Sequence, residues 1–570
     1  MSIKIVIIGA VAAGPKAACR LKRLDPEAQI TLIDKDDLIS YGGCGIPYFV
    51  SGDVAEAKEL QSTSFHMVRD AEFFRLIKGV NVVTRTEAVD IDRENRRVKL
   101  RNLDTGQESE LEYDRLLLAT GSRPRMLPIP GNDLDGVFTV ADLNGAIAIK
   151  DRIAKGLVNT AVVIGAGAIG LEMVEALSDL WGIETSLVEV QDQVLPGIVS
   201  PTMAAMVQTV LREHDVENIL LAEKVQRIEG DGHVERVVTD QRTLEADMVI
   251  MAVGVQPNSD LAKKAGLELT PGGAVRVNSR FQTSDPNIYA GGDIVENMHL
   301  ITGKSVYFPS GSMANRHGRI IGTNLAGAVD EFDGIVGNFI LKAFDLTVAA
   351  AGLSLFRAKA EGFDAFSTFV VQGDRAHFYP GMELMYMELV VENGTGRVLG
   401  VAAAGKQGDA VGSRVNAVAA ILKYKPTVRD VGNLEIAYAP PFSSAMDIVN
   451  ALGNTAENIM AGKNRPIDPT EFARLFAERN GDLVCLDVRG PENAKEFVEK
   501  YPDVWLNIPQ EQLAGRLDEI PRDKNIVLIC NAGGRSYESQ VALDHKGLTN
   551  TRNLQGGVGG IKKSGFDLDQ

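Results

Sequence analysis

The run Ala161-Val-Val-Ile164-Gly165-Ala-Gly167-Ala-Ile-Gly170 decides how this chain is read. Its apolar start predicts a buried parallel strand, and the three glycines turn the chain into a helix. Glycine at these positions lets backbone approach a pyrophosphate at a helix N-terminus. A second strand is expected over 185–190, with Glu189 near its end. An acid there accepts hydrogen bonds from both ribose hydroxyls and repels a 2′-phosphate, so the spacing favours NADH over NADPH. The bland alternative is a doubly wound fold that holds no nucleotide.

Working back toward the N-terminus, the pattern recurs in weaker form. Residues 3–8 read as a buried strand, Gly9-Ala-Val-Ala-Ala-Gly14 as the turn into a helix, and 30–33 as a strand ending at Asp34. Val11 stands where the middle glycine is usual, so taken alone this motif is weak.

Bulk composition sets the frame. The chain has 570 residues, is 45% hydrophobic and 24% charged, and carries a net charge of −17. That length predicts about three to five domains. The charge argues against nucleic acid or anionic membrane as the main partner. No run approaches the ~18–20 apolar residues of a membrane span. The apolar N-terminus is read as a strand rather than a signal peptide, because its glycines open a helix and Asp34 follows at the right distance; a cytoplasmic protein is expected. Four cysteines do not make a disulfide framework. Cys19, in the first helix, and Cys485, in an apolar strand, are expected to be inert core thiols; Cys44 and Cys530 lie in glycine-bearing loops.

Between and after the two nucleotide motifs stand Leu116-Leu-Leu-Ala-Thr-Gly-Ser-Arg-Pro124, Met251-Ala-Val-Gly-Val-Gln-Pro-Asn258 and Thr283-Ser-Asp-Pro-Asn-Ile-Tyr-Ala-Gly-Gly-Asp293. With these in order, residues 1 to about 450 resemble the pyridine nucleotide–disulfide oxidoreductases, flavoproteins with two dinucleotide-binding domains. The resemblance implies FAD at Gly9, Gly14, Asp34, Lys35 and Thr120, with Asp293 on the ribityl chain. It implies NADH at Gly165, Gly167, Gly170 and Glu189, with Glu172 beside the nicotinamide.

The electron acceptor is read at Ser40-Tyr-Gly-Gly-Cys44-Gly-Ile-Pro-Tyr-Phe49. Dithiol reductases carry a second cysteine five positions on, where this chain has Phe49, so Cys44 is expected to work as a single thiol. Gly45 and Pro47 predict a helix starting just after it, whose amides would favour a thiolate. A buried cysteine in a glycine turn is the alternative. The pattern resembles coenzyme A–disulfide reductases and their persulfide reductase and NADH oxidase relatives. Phe344-Asp-Leu-Thr-Val348, Phe378-Tyr-Pro-Gly381 and Ala437-Tyr-Ala-Pro-Pro-Phe-Ser-Ser444 support that subgroup. The likeness implies a homodimer in which Tyr379 and Tyr438 reach the partner's active site; interface packing is their alternative role. It places coenzyme A at Arg20, Arg23, Ser40, Lys78 and Asn315, although a solvated helix face also explains the basic cluster. Gly43, where many relatives have asparagine, and Met446, where they have lysine, depart from the pattern.

Beyond residue 466 the chain alternates short strands and helices. Asp487-Val-Arg489, the loop Cys530-Asn-Ala-Gly-Gly-Arg535 and the turn Gly556-Gly-Val-Gly-Gly560 resemble a single-domain rhodanese, without the tryptophan often found in the last turn. The loop amides would face a thiolate, persulfide or oxyanion at Cys530, with Arg535 beside it.

The expected architecture is α/β. It comprises an FAD-binding domain (1–118 and 251–325), an NADH-binding domain (119–250), an α+β dimerisation domain (326–450), a helical or irregular linker (451–466) and an α/β rhodanese domain (467–570). The expected activity is NADH-dependent reduction of persulfides, polysulfides or coenzyme A disulfides at Cys44, with Cys530 carrying sulfane sulfur. The alternatives are an NADH oxidase and a sulfur carrier whose flavin only resets its redox state.

Overall fold

The computed structural model describes residues 2–216, 218–478 and 481–566. By packing, the chain forms two units, Met1–Val190 with Asn218–Ile335, and Gln191–Glu217 with Val336–Gln570.

The first unit holds two five-stranded parallel sheets. In one, Lys4–Ile8 lies between Gln29–Ile33 and Arg115–Leu118, with Asn81–Val83 and Ile288–Ala290 at the edges. In the other, Thr160–Ile164 lies between Glu184–Val188 and Met248–Met251, flanked by Ile219–Leu220 and Val137–Thr139. The central strands are apolar on both faces because both are covered, one by helices and the other by a three-stranded antiparallel sheet, which supplies Ile91, Val98 and Leu100 to the first core and Val225, Ile228 and Val237 to the second. The edge strand Ile288–Ala290 returns to the first sheet after the whole second sheet has been made, so the second nucleotide fold is inserted in the first. The strand expected over 185–190 ends at Val188, leaving Glu189 just beyond the sheet.

Helix Ala13–Leu24, after the first glycine turn, packs along helix Gly311–Leu325. The contact is close because a Cβ at Gly318 would stand 2.4 Å from the Ala13 carbonyl oxygen, and one at Gly322 2.6 Å from that of Ala17.

The second unit contains an antiparallel sheet, in the order Phe339–Ala343, Leu346–Gly352, Val398–Gly405, Leu384–Glu392, Ala365–Gly373. It also contains a parallel sheet, in the order Pro466–Ile467, Thr551–Leu554, Asn525–Ile529, Leu483–Asp487, Trp505–Asn507. Phe472, Phe476, Phe497, Tyr501 and Trp505 form the aromatic core of the latter. The segment expected as a linker is largely helix Ile448–Met460. It buries Ile448, Val449, Leu452 and Ala456 and contacts the two last strands of the antiparallel sheet.

Residues 191–217 fall inside the stretch that sequence alone assigns to NADH, yet they cluster with the second unit. The reason is helix Pro201–Glu213, whose buried Met203, Met206, Val207, Val210 and Leu211 make an apolar face. Thr202 Oγ1 also pairs with Thr470 Oγ1 at 2.9 Å. Periodicity reveals such a face but not which sheet receives it. The final residues of the expected rhodanese domain, 567–570, lie outside the described residues.

Candidate active site

Both nucleotide turns have the geometry that a dinucleotide requires. Gly9 and Gly165 adopt φ of 109° and 104°. A Cβ at Gly9 would meet the Ala119 carbonyl oxygen at 2.1 Å, and one at Gly165 that of Ala252 at 2.5 Å. Gly14 and Gly170 lie against the carbonyls of Gly9 and Gly165 at 2.0 and 1.9 Å from the same imagined Cβ, so neither tolerates a side chain. At Gly167 a Cβ would meet nothing within 4 Å. The middle position is therefore sterically free within the turn, which explains how Val11 is accommodated at the corresponding place in the first motif.

The acids sit where the motif places them. Asp34 accepts from the Ala10 amide at 2.6 Å and from the Asp36 amide at 3.0 Å. Burial raises its pKa against these hydrogen bonds. Glu189 is buried and accepts from the Ala166 amide at 2.8 Å. Lys35 is exposed. Thr120 donates through Oγ1 to the Asn258 carbonyl at 2.8 Å, and Asn258 donates back through its side-chain Nδ2 to the Thr120 carbonyl at 2.9 Å.

Asp293 is held by the Ser310 amide at 3.1 Å and Ser122 Oγ at 3.3 Å, and burial raises its pKa. The preceding Gly292 amide donates to Nδ1 of the fully buried His317 at 3.2 Å. Burial pushes the His317 pKa down to about 3, so its ring is neutral and stays an acceptor. His317 went unnoticed in the sequence because only the fold brings it beneath the Gly-Gly-Asp turn. These residues fit FAD in the first fold and a nicotinamide dinucleotide in the second.

Cys44 is exposed, in a short turn Gly43–Gly45 that runs directly into helix Ile46–Ser51 with Pro47 in its first turn. A Cβ at Gly45 would fall 2.5 Å from Leu60 Cδ2, so a side chain there would have to push the Leu60 side chain aside. The helix packs on Ala168–Ser178, which carries Glu172. Tyr48, part of the sequence pattern around Cys44 but given no role by it, feels the charges of Glu172, Glu175, Asp53 and Cys44; burial first and these charges next raise its pKa. Burial, then the Glu175 charge, pushes Glu172 up to about 7. The second nucleotide fold thus brings its glutamate into the surroundings of Cys44.

The Glu172 shift predicts a pH effect whose sign follows from linkage. Between pH 4.5 and about 7 the folded protein holds a proton that the unfolded chain has released, so stability falls as pH rises through this window. In nucleotide-free protein the loss should approach about 3 kcal/mol. Comparing thermal midpoints of wild type and Glu172→Gln across pH checks this; parallel profiles would contradict it.

Among the residues expected to meet coenzyme A, Arg20 donates through Nε to Thr323 Oγ1 at 3.1 Å, and Asn315 donates to the Gly311 carbonyl at 2.9 Å. Burial raises the pKa of Cys19 against the nearby charges of Lys78 and Arg23. Ser40 is buried with φ of 52°, and its amide donates to the Ala10 carbonyl at 2.8 Å. Within the protomer it shapes the turn. Met446 is exposed.

In the second unit Tyr379 and Tyr438 are exposed, with Phe378 and Phe442 close in sequence and more exposed still. Their two loops are tied together by buried Arg414. It pairs with Asp447 at 2.8 Å and donates to the carbonyls of Asp374 at 3.1 Å and Phe442 at 2.9 Å.

Cys530 ends strand Asn525–Ile529 and is 2% exposed. Its sulfur accepts from the Gly533 amide at 3.1 Å and from Ser536 Oγ at 3.2 Å. Ser536, also fully buried, closes the loop in sequence but gains its role only here, because a serine opening a helix carries no sequence signal of its own. Arg535 is exposed. Asp487 and Arg489 form a buried pair at 2.6 Å, and Trp505 Nε1 donates to Asp487 at 3.0 Å, which makes this motif a brace for the loop's sheet. The glycine turn that lacks tryptophan packs elsewhere: a Cβ at Gly556 would strike the Phe369 ring at 2.6 Å, and one at Gly557 the Cys530 carbonyl oxygen at 2.2 Å. Cys485 is buried, and its thiol pKa is pushed well up by that burial, as expected of a core thiol. No group of metal-ligating side chains occurs among the described residues.

Two nucleotide folds, one nested in the other, a lone exposed cysteine and an appended loop built around a second, buried cysteine define a redox enzyme of sulfur chemistry. The chain matches the pyridine nucleotide-disulphide oxidoreductase family over residues 3–308, its dimerisation domain over 340–449, and a rhodanese-like domain over 468–564. It belongs to that family of FAD- and NAD(P)H-using oxidoreductases. It is 37% identical to a CoA-dependent NAD(P)H sulfur oxidoreductase of Pyrococcus furiosus, over 78% of this chain and 97% of that protein. It is 34% identical to an NADH oxidase of Methanocaldococcus jannaschii, over 81% of this chain and the whole of that one. Its fold matches an NAD-dependent persulfide reductase from A. fulgidus with a TM-score of 0.92 and 39% identity, covering 98% of this chain and all of that one.

Proposed function

We propose that the chain reduces sulfur–sulfur bonds at Cys44 with NADH as donor, and that Cys530 of the rhodanese-like domain supplies or collects the sulfane sulfur. Substrates are persulfides, polysulfides and disulfides of small thiols, with coenzyme A the thiol that Arg20, Arg23 and Lys78 suit by charge. The observation that carries this reading is the single exposed cysteine, Cys44, in the surroundings of Glu172, with Phe49 where a dithiol site needs its second sulfur.

Bound FAD supplies two-electron transfer between nicotinamide and sulfur. The protein's own part begins with Cys44, whose thiolate attacks the substrate sulfur and expels a thiolate or hydrosulfide. Glu172, half ionised near neutral pH, is suited to taking up and returning a proton there. Glu189 favours NADH, because a 2′-phosphate would meet a buried carboxylate. Tyr379 and Tyr438, presented on loops braced by Arg414, serve the partner subunit's site in a homodimer. FAD is assigned to residues 1–118 and 251–325, NADH to 119–250 without the segment 191–217, dimerisation to 326–450 and sulfur transfer to 467–570. No helix of the described residues is long and apolar enough to cross a membrane, in keeping with work in the cytoplasm.

The test is an anaerobic assay with a small persulfide, following sulfide and NADH together. One sulfide should appear for each NADH consumed. NADH loss that needs oxygen and yields no sulfide would make the chain an oxidase instead.

A further inference from the structure

Three glycines around Cys44 have no local reason to be glycine. Gly42, Gly43 and Gly311 all have ordinary backbone conformations, outside the left-handed region. A Cβ at Gly42 would meet only the Leu60 carbonyl oxygen, at 3.8 Å, and one at Gly43 only the edge of the Tyr41 ring, at 3.9 Å. Gly45, between them and the helix, is different, since its Cβ would press on the Leu60 side chain at 2.5 Å.

Gly311 is the most telling of the three. It opens helix Gly311–Leu325, with no left-handed backbone that calls for glycine. The one atom that its Cβ would meet within 4 Å is Cys44 Sγ, at 3.3 Å. The absent side chain leaves space, outside the helix's own backbone, against a single atom, the reactive sulfur.

We propose that Gly311 is a specificity-determining residue: its missing side chain is the room into which the second sulfur of a Cys44 persulfide or mixed disulfide projects. This rests on the reading of Cys44 as the sulfur-carrying thiol. The step that needs the room is an exchange. Sγ attacks one sulfur of the substrate, a new Sγ–S bond forms as the old S–S bond breaks, and the departing sulfur leaves with the electron pair and takes a proton from solvent. Sulfur oxidation is only redistributed, so no oxidant is required. The new sulfur lies about 2 Å from Sγ. With a methyl group already 3.3 Å from Sγ on that side, it could not keep the ~3.5–4 Å separation that non-bonded atoms need.

The experiment measures the rate at which a methanethiosulfonate reagent modifies Cys44 in wild type, Gly311→Ala and Gly311→Val, with adducts located by peptide mass spectrometry. The reaction needs neither NADH nor turnover. Alanine should slow modification of Cys44 by about 10-fold or more, a barrier increase of roughly 1.4 kcal/mol, and valine should slow it further. Modification of Cys530 in the same samples is the internal control and should keep one rate. Equal Cys44 rates in all three proteins would overturn the inference and leave the proposed function standing. A parallel change at Cys530 would mean general distortion, and would also overturn it. A wild-type Cys44 that forms no adduct would overturn the function and the inference together.

Discussion

Cys44→Ser should lower NADH-dependent sulfide release from a persulfide by about a thousandfold or more, because a hydroxyl neither forms nor breaks a sulfur–sulfur bond under these conditions. Neither Cys19 nor Cys485 is placed to take over. Cys19 is held in the first helix with its pKa raised, Cys485 is sealed in a strand, and position 49 is phenylalanine. The residues suited to FAD, namely the Gly9 and Gly14 turn, Asp34 and Asp293, owe nothing to the sulfur, so the variant should keep its flavin. Sulfide assay together with the visible spectrum checks both halves. A near wild-type rate would sink the mechanism; loss of the flavin as well would mean that Cys44 is structural.

Cys530→Ala should separate the two sulfur centres. Transfer of sulfur from an anionic donor such as thiosulfate should fall by about a thousandfold, since the loop then has no nucleophile. NADH-dependent reduction of a small persulfide that reaches Cys44 unaided should persist. The structure supports this division of labour: the Cys530 sulfur has its own donors, the Gly533 amide and Ser536 hydroxyl, within its own loop. Both activities are read in one preparation as thiocyanate formed from thiosulfate and cyanide, and as sulfide released with NADH. Equal loss of both would make Cys530 obligatory in the core cycle. Loss of neither would make the appended domain a passenger.

Much of this was legible in sequence because the deciding features are local. Gly165 and Gly170 are needed where a strand, a turn and a helix meet within ten residues, and Glu189 follows at a fixed distance. The same holds for Cys530 at the end of its strand. Val11 obscured the first motif although it costs the turn nothing, since the middle position is free of contacts within the turn. What sequence did not reveal depends on distant chain meeting distant chain. Gly311 and Cys44 are neighbours only because helix Gly311–Leu325 lies along the first helix. Tyr48 meets Glu172 only because two short helices from different sheets pack together. The segment 191–217 looked like a continuation of the NADH-binding fold, and its helix Pro201–Glu213 found its partners in the second unit instead. The stretch 451–466, expected as a helical or irregular linker, is mostly the continuation of helix Ile448–Met460, which packs because Ile448, Leu452 and Ala456 share one buried face.

The central claim, that Cys44 alone carries sulfur in the reductive cycle, is tested most directly by looking at its sulfur. Oxidised enzyme is mixed anaerobically with a small persulfide, quenched with an alkylating agent and digested, and the Cys44 peptide is weighed before and after NADH is added. The account predicts a peptide heavier by one sulfur atom, or by the substrate thiol, before NADH, and the bare alkylated thiol afterwards, with sulfide released in step. A Cys44 peptide that never gains sulfur while sulfide is still produced would contradict it.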